Sequence, residues 1–155
     1  VSTDNVFKIV NATEARMVSR GAKGIVLFGT ENEWVNYYAY IVNKIAKEVG
    51  VEEIYYYDFT KNRKDNNDNY KKLVEILKDH LRYDEEGNKR IYAPSVIAVK
   101  DGEIVGFDDE TAADTKGYKT PKEYWENEDL EGLKAKLAKM FEDTKTNICT
   151  SDCNK

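Results

Sequence analysis

Apolar residues fall in short blocks along this chain, and the spacing within the blocks changes from one to the next. Val6 to Val10 reads as a strand, followed by a short helix from about Thr13 to Arg20 with Ala15, Met17 and Val18 as its apolar face. Gly21 and Gly24 break that pattern, and Ile25 to Phe28 is a continuous apolar run that suits a central strand buried on both faces. From Glu33 to Val49 the period becomes helical, through Trp34, Tyr37, Tyr38, Ile41, Val42, Ile45, Ala46 and Val49, with Gly50 closing the segment. Glu53 to Phe59 is rich in Tyr and Ile and reads as another strand, so that strand, helix and strand form a crossover of the length a parallel unit requires.

The middle of the chain is more polar. Residues 61 to 69 carry Asn and Asp in a density that favours turns, and they read as a surface loop. An amphipathic helix is expected from Tyr70 to about Leu81 through Leu73, Val74, Ile76 and Leu77, and a charged loop from Asp84 to Arg90 turning at Gly87. Tyr92-Ala93-Pro94-Ser95-Val96-Ile97-Ala98-Val99-Lys100-Asp101-Gly102-Glu103-Ile104-Val105-Gly106 then gives two β-rich runs around Asp101-Gly102, a two-residue hairpin signal because Gly supplies positive φ cheaply. Thr120-Pro121-Lys122-Glu123 marks a helix start, and a last helix from about Asp129 to Phe141 offers Leu130, Leu133, Leu137, Ala138 and Met140 to a core.

Composition narrows the class. A length of 155 residues with 41% hydrophobic positions supports one domain with a real core, assigned here to residues 1–145, followed by a tail at 146–155. The net charge of −5 works against a nucleic-acid backbone or an anionic membrane surface as partner. Lys134, Lys136 and Lys139 read as a solvated helix face. No run reaches the roughly 18 apolar residues of a membrane span. The chain opens at Val1 and not at methionine, so removal of an export signal is expected.

The order strand, helix, strand, helix, strand, helix, proline, hairpin, helix resembles the thioredoxin fold, an α/β class with a central mixed sheet flanked by helices, here with an inserted helix before the proline strand. Ala93-Pro94-Ser95 sits where that family has its cis-proline, Val99 to Gly106 is similar to its strand-turn-strand signature, and Gly24 to Gly29 to the strand leading into its redox loop. The chain also resembles exported Firmicutes thioredoxin-like proteins, including bacteriocin-transport accessory proteins. That likeness implies a bacterial, extracytoplasmic protein, secreted or anchored as a lipoprotein.

The family's two redox cysteines are replaced. The loop at the head of the long helix reads Glu33-Trp34-Val35-Asn36, with Glu33 and Asn36 at the degenerate positions. A carboxylate and an amide cannot form or resolve a mixed disulfide, so ordinary thioredoxin chemistry is excluded at this site. Two readings of the face stand. In one, Glu33 merely complements the helix dipole and Trp34 packs. In the other, Trp34, Asn36, Tyr92, Ala93 and Pro94 keep a shallow groove that binds a peptide or protein partner, the residue before the proline offering backbone hydrogen bonds.

The remaining chemistry is sparse. Tyr55-Tyr56-Tyr57 and Tyr37-Tyr38 read as core or half-buried sheet and helix positions. His80, the sole histidine, has no partner for a transition-metal set. Asp108-Asp109-Glu110 with Asp114 could hold a hard cation but lacks the spacing of a calcium loop, and an acidic loop after the hairpin is expected. No metal or other cofactor is expected. Cys149 and Cys153, the two cysteines, are spaced to permit an intramolecular disulfide that would stabilise the domain little. That pair stands either as an inert bridge or as an unusual exchange centre for a thiol-disulfide oxidoreductase or isomerase.

Overall fold

A computed structural model describes residues 5–30, 33–109, 120–127 and 130–145. The chain begins with strand β1 (Phe7–Ile9) and helix α1 (Ala12–Ser19), whose start is set by a reciprocal cap: the Asn11 side chain accepts from the Glu14 amide at 2.9 Å and the Glu14 carboxylate accepts from the Asn11 amide at 3.1 Å. Strand β2 (Lys23–Gly29), helix α2 (Glu33–Val49) and strand β3 (Ile54–Asp58) follow, with Gly50 at a φ of 83° ending α2.

The segment at 61–69 departs from the sequence expectation. In place of a loop it forms helix α3 (Thr60–Asp65), stopped by Asn66 in the left-handed region at a φ of 47°, and the very next residue, Asn67, caps helix α4 (Asp68–Leu77) by accepting from the Tyr70 amide at 3.0 Å. The two asparagines act as a helix stop and a helix start, so the turn chemistry of this stretch joins two helices instead of replacing one. The Asp84 to Arg90 loop also acquires structure, as β4 (Arg82–Tyr83) pairs antiparallel with β5 (Lys89–Arg90) around a turn in which the Asp84 carboxylate accepts from the amides of Glu86 and Asn88.

Strands β6 (Ser95–Lys100) and β7 (Glu103–Asp108) form the expected hairpin, with Asp101 and Gly102 both at positive φ, and helices α5 (Pro121–Asn127) and α6 (Leu130–Lys145) complete the order. The main sheet runs β1-β3-β2-β6-β7. Its first three strands are parallel, whereas β6 runs antiparallel to β2 and β7 antiparallel to β6. This is the expected α/β arrangement of a central mixed sheet flanked by helices.

Both faces of β2 are buried, which explains its lack of alternation. Ile25 and Leu27 join the core under α2 and α6, whereas Val26 and Phe28 join a second core with α1 and α4. The buried face of α2 is rotated from the one expected: Val35, Tyr38, Ala39, Val42, Ile45 and Ala46 are inside, and Tyr37 is 44% exposed. In α6, Leu133, Leu137, Met140 and Phe141 are buried while Leu130 and Ala138 are only partly so. Tyr57 is in the core and Tyr55 and Tyr56 are half-buried, as the strand reading anticipated.

Candidate functional site

Two segments meet at the ends of the central strands. β2 stops at Gly29, where a Cβ would lie 2.6 Å from the Tyr56 hydroxyl and 2.9 Å from Val35 Cγ1, so glycine lets α2 begin tightly against the strand end. On the neighbouring strand, Ser95 is paired with Phe28, which sets Ala93-Pro94 beside the end of β2; the Ala93–Pro94 peptide is cis. Glu33, Trp34 and Asn36 in the first turn of α2 and the Tyr92-Ala93-Pro94 segment thus belong to one end of the sheet.

Their side chains turn to different neighbours. The half-buried Trp34 ring meets Tyr124 of α5 edge to face at 5.5 Å between centroids. α5 itself starts at its Thr120 cap, whose hydroxyl accepts from the Glu123 amide at 3.2 Å. Asn36 and Glu33 are exposed, and Asn36 borders a cleft of about 250 Å³ with Phe7, Ile9 and Tyr56, on the β1 side of the helix. Tyr92 lies under two guanidiniums, Arg82 at 5.0 Å and Arg90 at 5.8 Å from its ring centre. Pro94 is buried, whereas Tyr92 and Ala93 are half-buried. The single cluster expected from the sequence is therefore a strip: an aromatic pair at one end, the proline segment in the middle, arginines on tyrosine at the other.

The backbone along that strip has a gap in its pairing. Ile91 donates its amide to the Tyr70 hydroxyl and its carbonyl accepts from Arg63 Nη1 at 3.1 Å; Ser95 is in register within the sheet. Between them, Tyr92 and Ala93 make no hydrogen bond to any other described residue. Below, the Ser95 hydroxyl is buried and has no hydrogen-bond partner among the described residues.

Around the strip, Asp108 changes the acidic-loop reading. It ends β7 opposite Val96 with no exposed surface, and receives hydrogen bonds from the Tyr38 hydroxyl at 2.6 Å and from Lys136 Nζ at 2.9 Å. Asp108 is thus a buried structural carboxylate and not part of a solvated cation loop. Asp109 pairs with Arg82 at 2.8 Å, and Glu110 and Asp114 lie outside the described residues. Among the described residues no group of three or more His, Cys, Asp or Glu side chains is arranged to hold a metal. His80 stacks on Phe107 at 5.5 Å. Cys149 and Cys153 lie outside the described residues.

No protein-family model matches the chain, and no curated protein matches it. Among solved structures, it is similar to the solution structure of desulfothioredoxin from Desulfovibrio vulgaris Hildenborough in its reduced form. The two are 15% identical, 81% of this chain and 88% of that chain are covered, and the TM-score is 0.38. Among the described residues no helix is long and apolar enough to cross a membrane.

Proposed function

We propose that this domain is a redox-inactive thioredoxin-like binding module that takes an extended peptide, or an extended segment of a protein partner, along Tyr92-Ala93. The observation that carries the reading is that, among the described residues, the backbone of those two has no hydrogen-bond partner, between neighbours that are held. An incoming strand would supply the missing partners, as in strand addition to a sheet edge. Trp34, braced by Tyr124, offers an aromatic contact near one end of the strip. Glu33-Trp34-Val35-Asn36 has no thiolate with which to attack a bound disulfide, so the strip binds without redox exchange. An extracytoplasmic location suits a chain that carries its two cysteines as a close pair.

The test uses fluorescein-labelled insulin B chain with its thiols blocked, followed by anisotropy and by deuterium exchange of the protein. Saturable binding with slowed exchange at the Tyr92 and Ala93 amides, weakened in Trp34→Ala, is expected. No anisotropy change up to about 1 mM, or protection confined to other segments, overturns the reading. A parallel assay of insulin reduction by dithiothreitol separates the enzymatic alternative: acceleration that disappears in Cys149→Ser/Cys153→Ser would make the tail pair the working centre.

A further inference from the structure

The negative net charge conceals a local reversal. Between α3, α4 and the β4–β5 hairpin lies an open groove of about 710 Å³, and five cations line it: Arg63, Lys64, Lys71, Lys89 and Arg90. The only carboxylates on its wall are Asp84 and Glu86, and Asp84 is occupied with two amides of its own turn. Among the described residues none of the five cations is in an ion pair. Some cations elsewhere are paired, among them Arg82 with Asp109 just outside the groove. An acidic protein that gathers five cations at one concavity, none of them ion-paired among the described residues, opposes its own overall composition.

Three of these groups are held in place by the fold: Lys89 donates to the Leu81 carbonyl at 2.9 Å and lies 4.5 Å from the centre of the Tyr83 ring, and the two arginines are anchored as follows. Arg63 donates to the Ile91 carbonyl and lies 4.9 Å from the centre of the Phe59 ring, so part of its donor set is committed and the remainder is kept at a fixed position. Arg90 packs over Tyr92, and its Nε is buried with no acceptor among the described residues. A buried guanidinium donor without a partner is costly, and a modest turn of the side chain would present it to an acceptor entering the groove. Burial first, and then the charge of Arg90, holds the Arg63 guanidinium below its usual range.

We propose that this groove is an anion site for a phosphate group, presented either as a phosphomonoester or as free phosphate. A phosphate dianion offsets two crowded guanidiniums and carries three or more acceptor oxygens, matching Arg forks better than a single carboxylate does. Thr60, Asn66 and Asn88 on the same wall supply neutral hydrogen-bonding groups for the oxygens. A nucleic-acid strand fits less well, because a long polyanion would also meet the field of a chain whose net charge is −5. The groove meets the peptide strip at Arg90, whose guanidinium packs over Tyr92, but the anion site is argued from the groove's own cations and does not depend on peptide binding.

The experiment titrates the full chain with inorganic phosphate and with phenyl phosphate by calorimetry, against sodium chloride at matched ionic strength. Lys64→Gln/Lys71→Gln, two exposed substitutions, and Arg90→Gln serve as variants, each checked for native circular dichroism. Saturable one-site binding is expected, weakened about tenfold or more in both variants, as the loss of charge-assisted bonds requires. Tighter binding of phenyl phosphate identifies an ester as the ligand, and equal or tighter binding of inorganic phosphate identifies the free ion; both support the site. A response equal to that of chloride, or binding unchanged in Lys64→Gln/Lys71→Gln, overturns it. A single-stranded oligonucleotide that binds more tightly than phenyl phosphate at the same salt also overturns it, in favour of nucleic acid.

Discussion

The Tyr38 hydroxyl of α2 donates a 2.6 Å hydrogen bond to Asp108 at the end of β7, across 70 residues of sequence and with neither side chain exposed. Lys136 of α6 reaches the other oxygen of the same carboxylate at 2.9 Å while remaining 41% exposed itself. The carboxylate therefore joins two helices and the edge of the sheet at the margin of one core. Tyr38→Phe should cost about 1.5–3 kcal/mol, the usual worth of a hydrogen bond to a charged group. Asp108→Ala should cost about 3 kcal/mol or more, because it strands a buried hydroxyl. Lys136→Gln should cost less than about 1 kcal/mol, since that ammonium already meets water. Urea unfolding of the three variants checks the order, and a Lys136→Gln loss equal to that of Asp108→Ala would show that the ion pair, not the tyrosine bond, matters.

Stability should fall in alkali through Tyr57. Burial pushes its hydroxyl up to about 12, from an ordinary value near 10, and the same hydroxyl donates to Asn62. Below pH 10 the group is neutral whether the chain is folded or not. Between pH 10 and 12 the unfolded chain loses the proton and the folded chain keeps it, so its contribution is present below 10 and lost as pH rises toward 12. The loss amounts to roughly 1–2 kcal/mol. Tyr57→Phe should flatten this part of the stability profile measured by denaturant titration from pH 9 to 12; an unchanged slope would assign the effect to other groups.

Gly106 marks a close approach between β7 and α6. A Cβ there would stand 2.7 Å from Met140 Cγ, and Met140 is itself buried. Gly106→Ala should cost about 1–3 kcal/mol through overpacking. In the double variant with Met140→Ala the new methyl occupies space the methionine vacates, so the combined loss should be smaller than the sum of the single losses. Thermal unfolding of the four proteins measures this; strict additivity would mean the strand shifts and the methionine is not the obstacle.

The paired asparagines between α3 and α4 lend themselves to a local test. Asn67→Ala removes the cap on the Tyr70 amide and should cost about 1 kcal/mol, whereas Asn67→Asp should retain most of it. Deuterium exchange at the start of α4 should speed up in the alanine variant only. Equal exchange in both would show that Tyr70 packing, not the cap, starts the helix.

How far these features could be read beforehand depends on the range of the interaction. The bounds of α2 were legible because helical spacing and Gly50 are both local, and the Asp101-Gly102 hairpin because both turn residues take positive φ. The 61–69 stretch was misread because Asn66 and Asn67 look the same in a loop and between abutting helices; only the packing of Tyr70 and Leu73 beneath α4 distinguishes them. Asp108 gave a partial signal. It stands two residues after Gly106 on the face under α6, but its tyrosine and lysine lie 70 and 28 residues away in sequence. The backbone of Tyr92 and Ala93, without a hydrogen-bond partner among the described residues, left no trace in composition, since that gap depends on where Tyr70, Arg63 and β2 find partners.

The tip of the β6–β7 hairpin is tied to the opposite end of the chain's first crossover: Asp101 donates to the Ala22 carbonyl at 2.6 Å and Gly102 to that of Gly21 at 2.9 Å. A tight exposed turn is ordinarily where one would splice in a tag or cut the chain for permutation. Here such a splice would release the connection between α1 and β2 along with the turn. The turn at Gly87 carries no such tether among the described residues, with nothing within 4 Å of where a side chain would begin, and it is there that the chain should accept foreign sequence without loss of its fold.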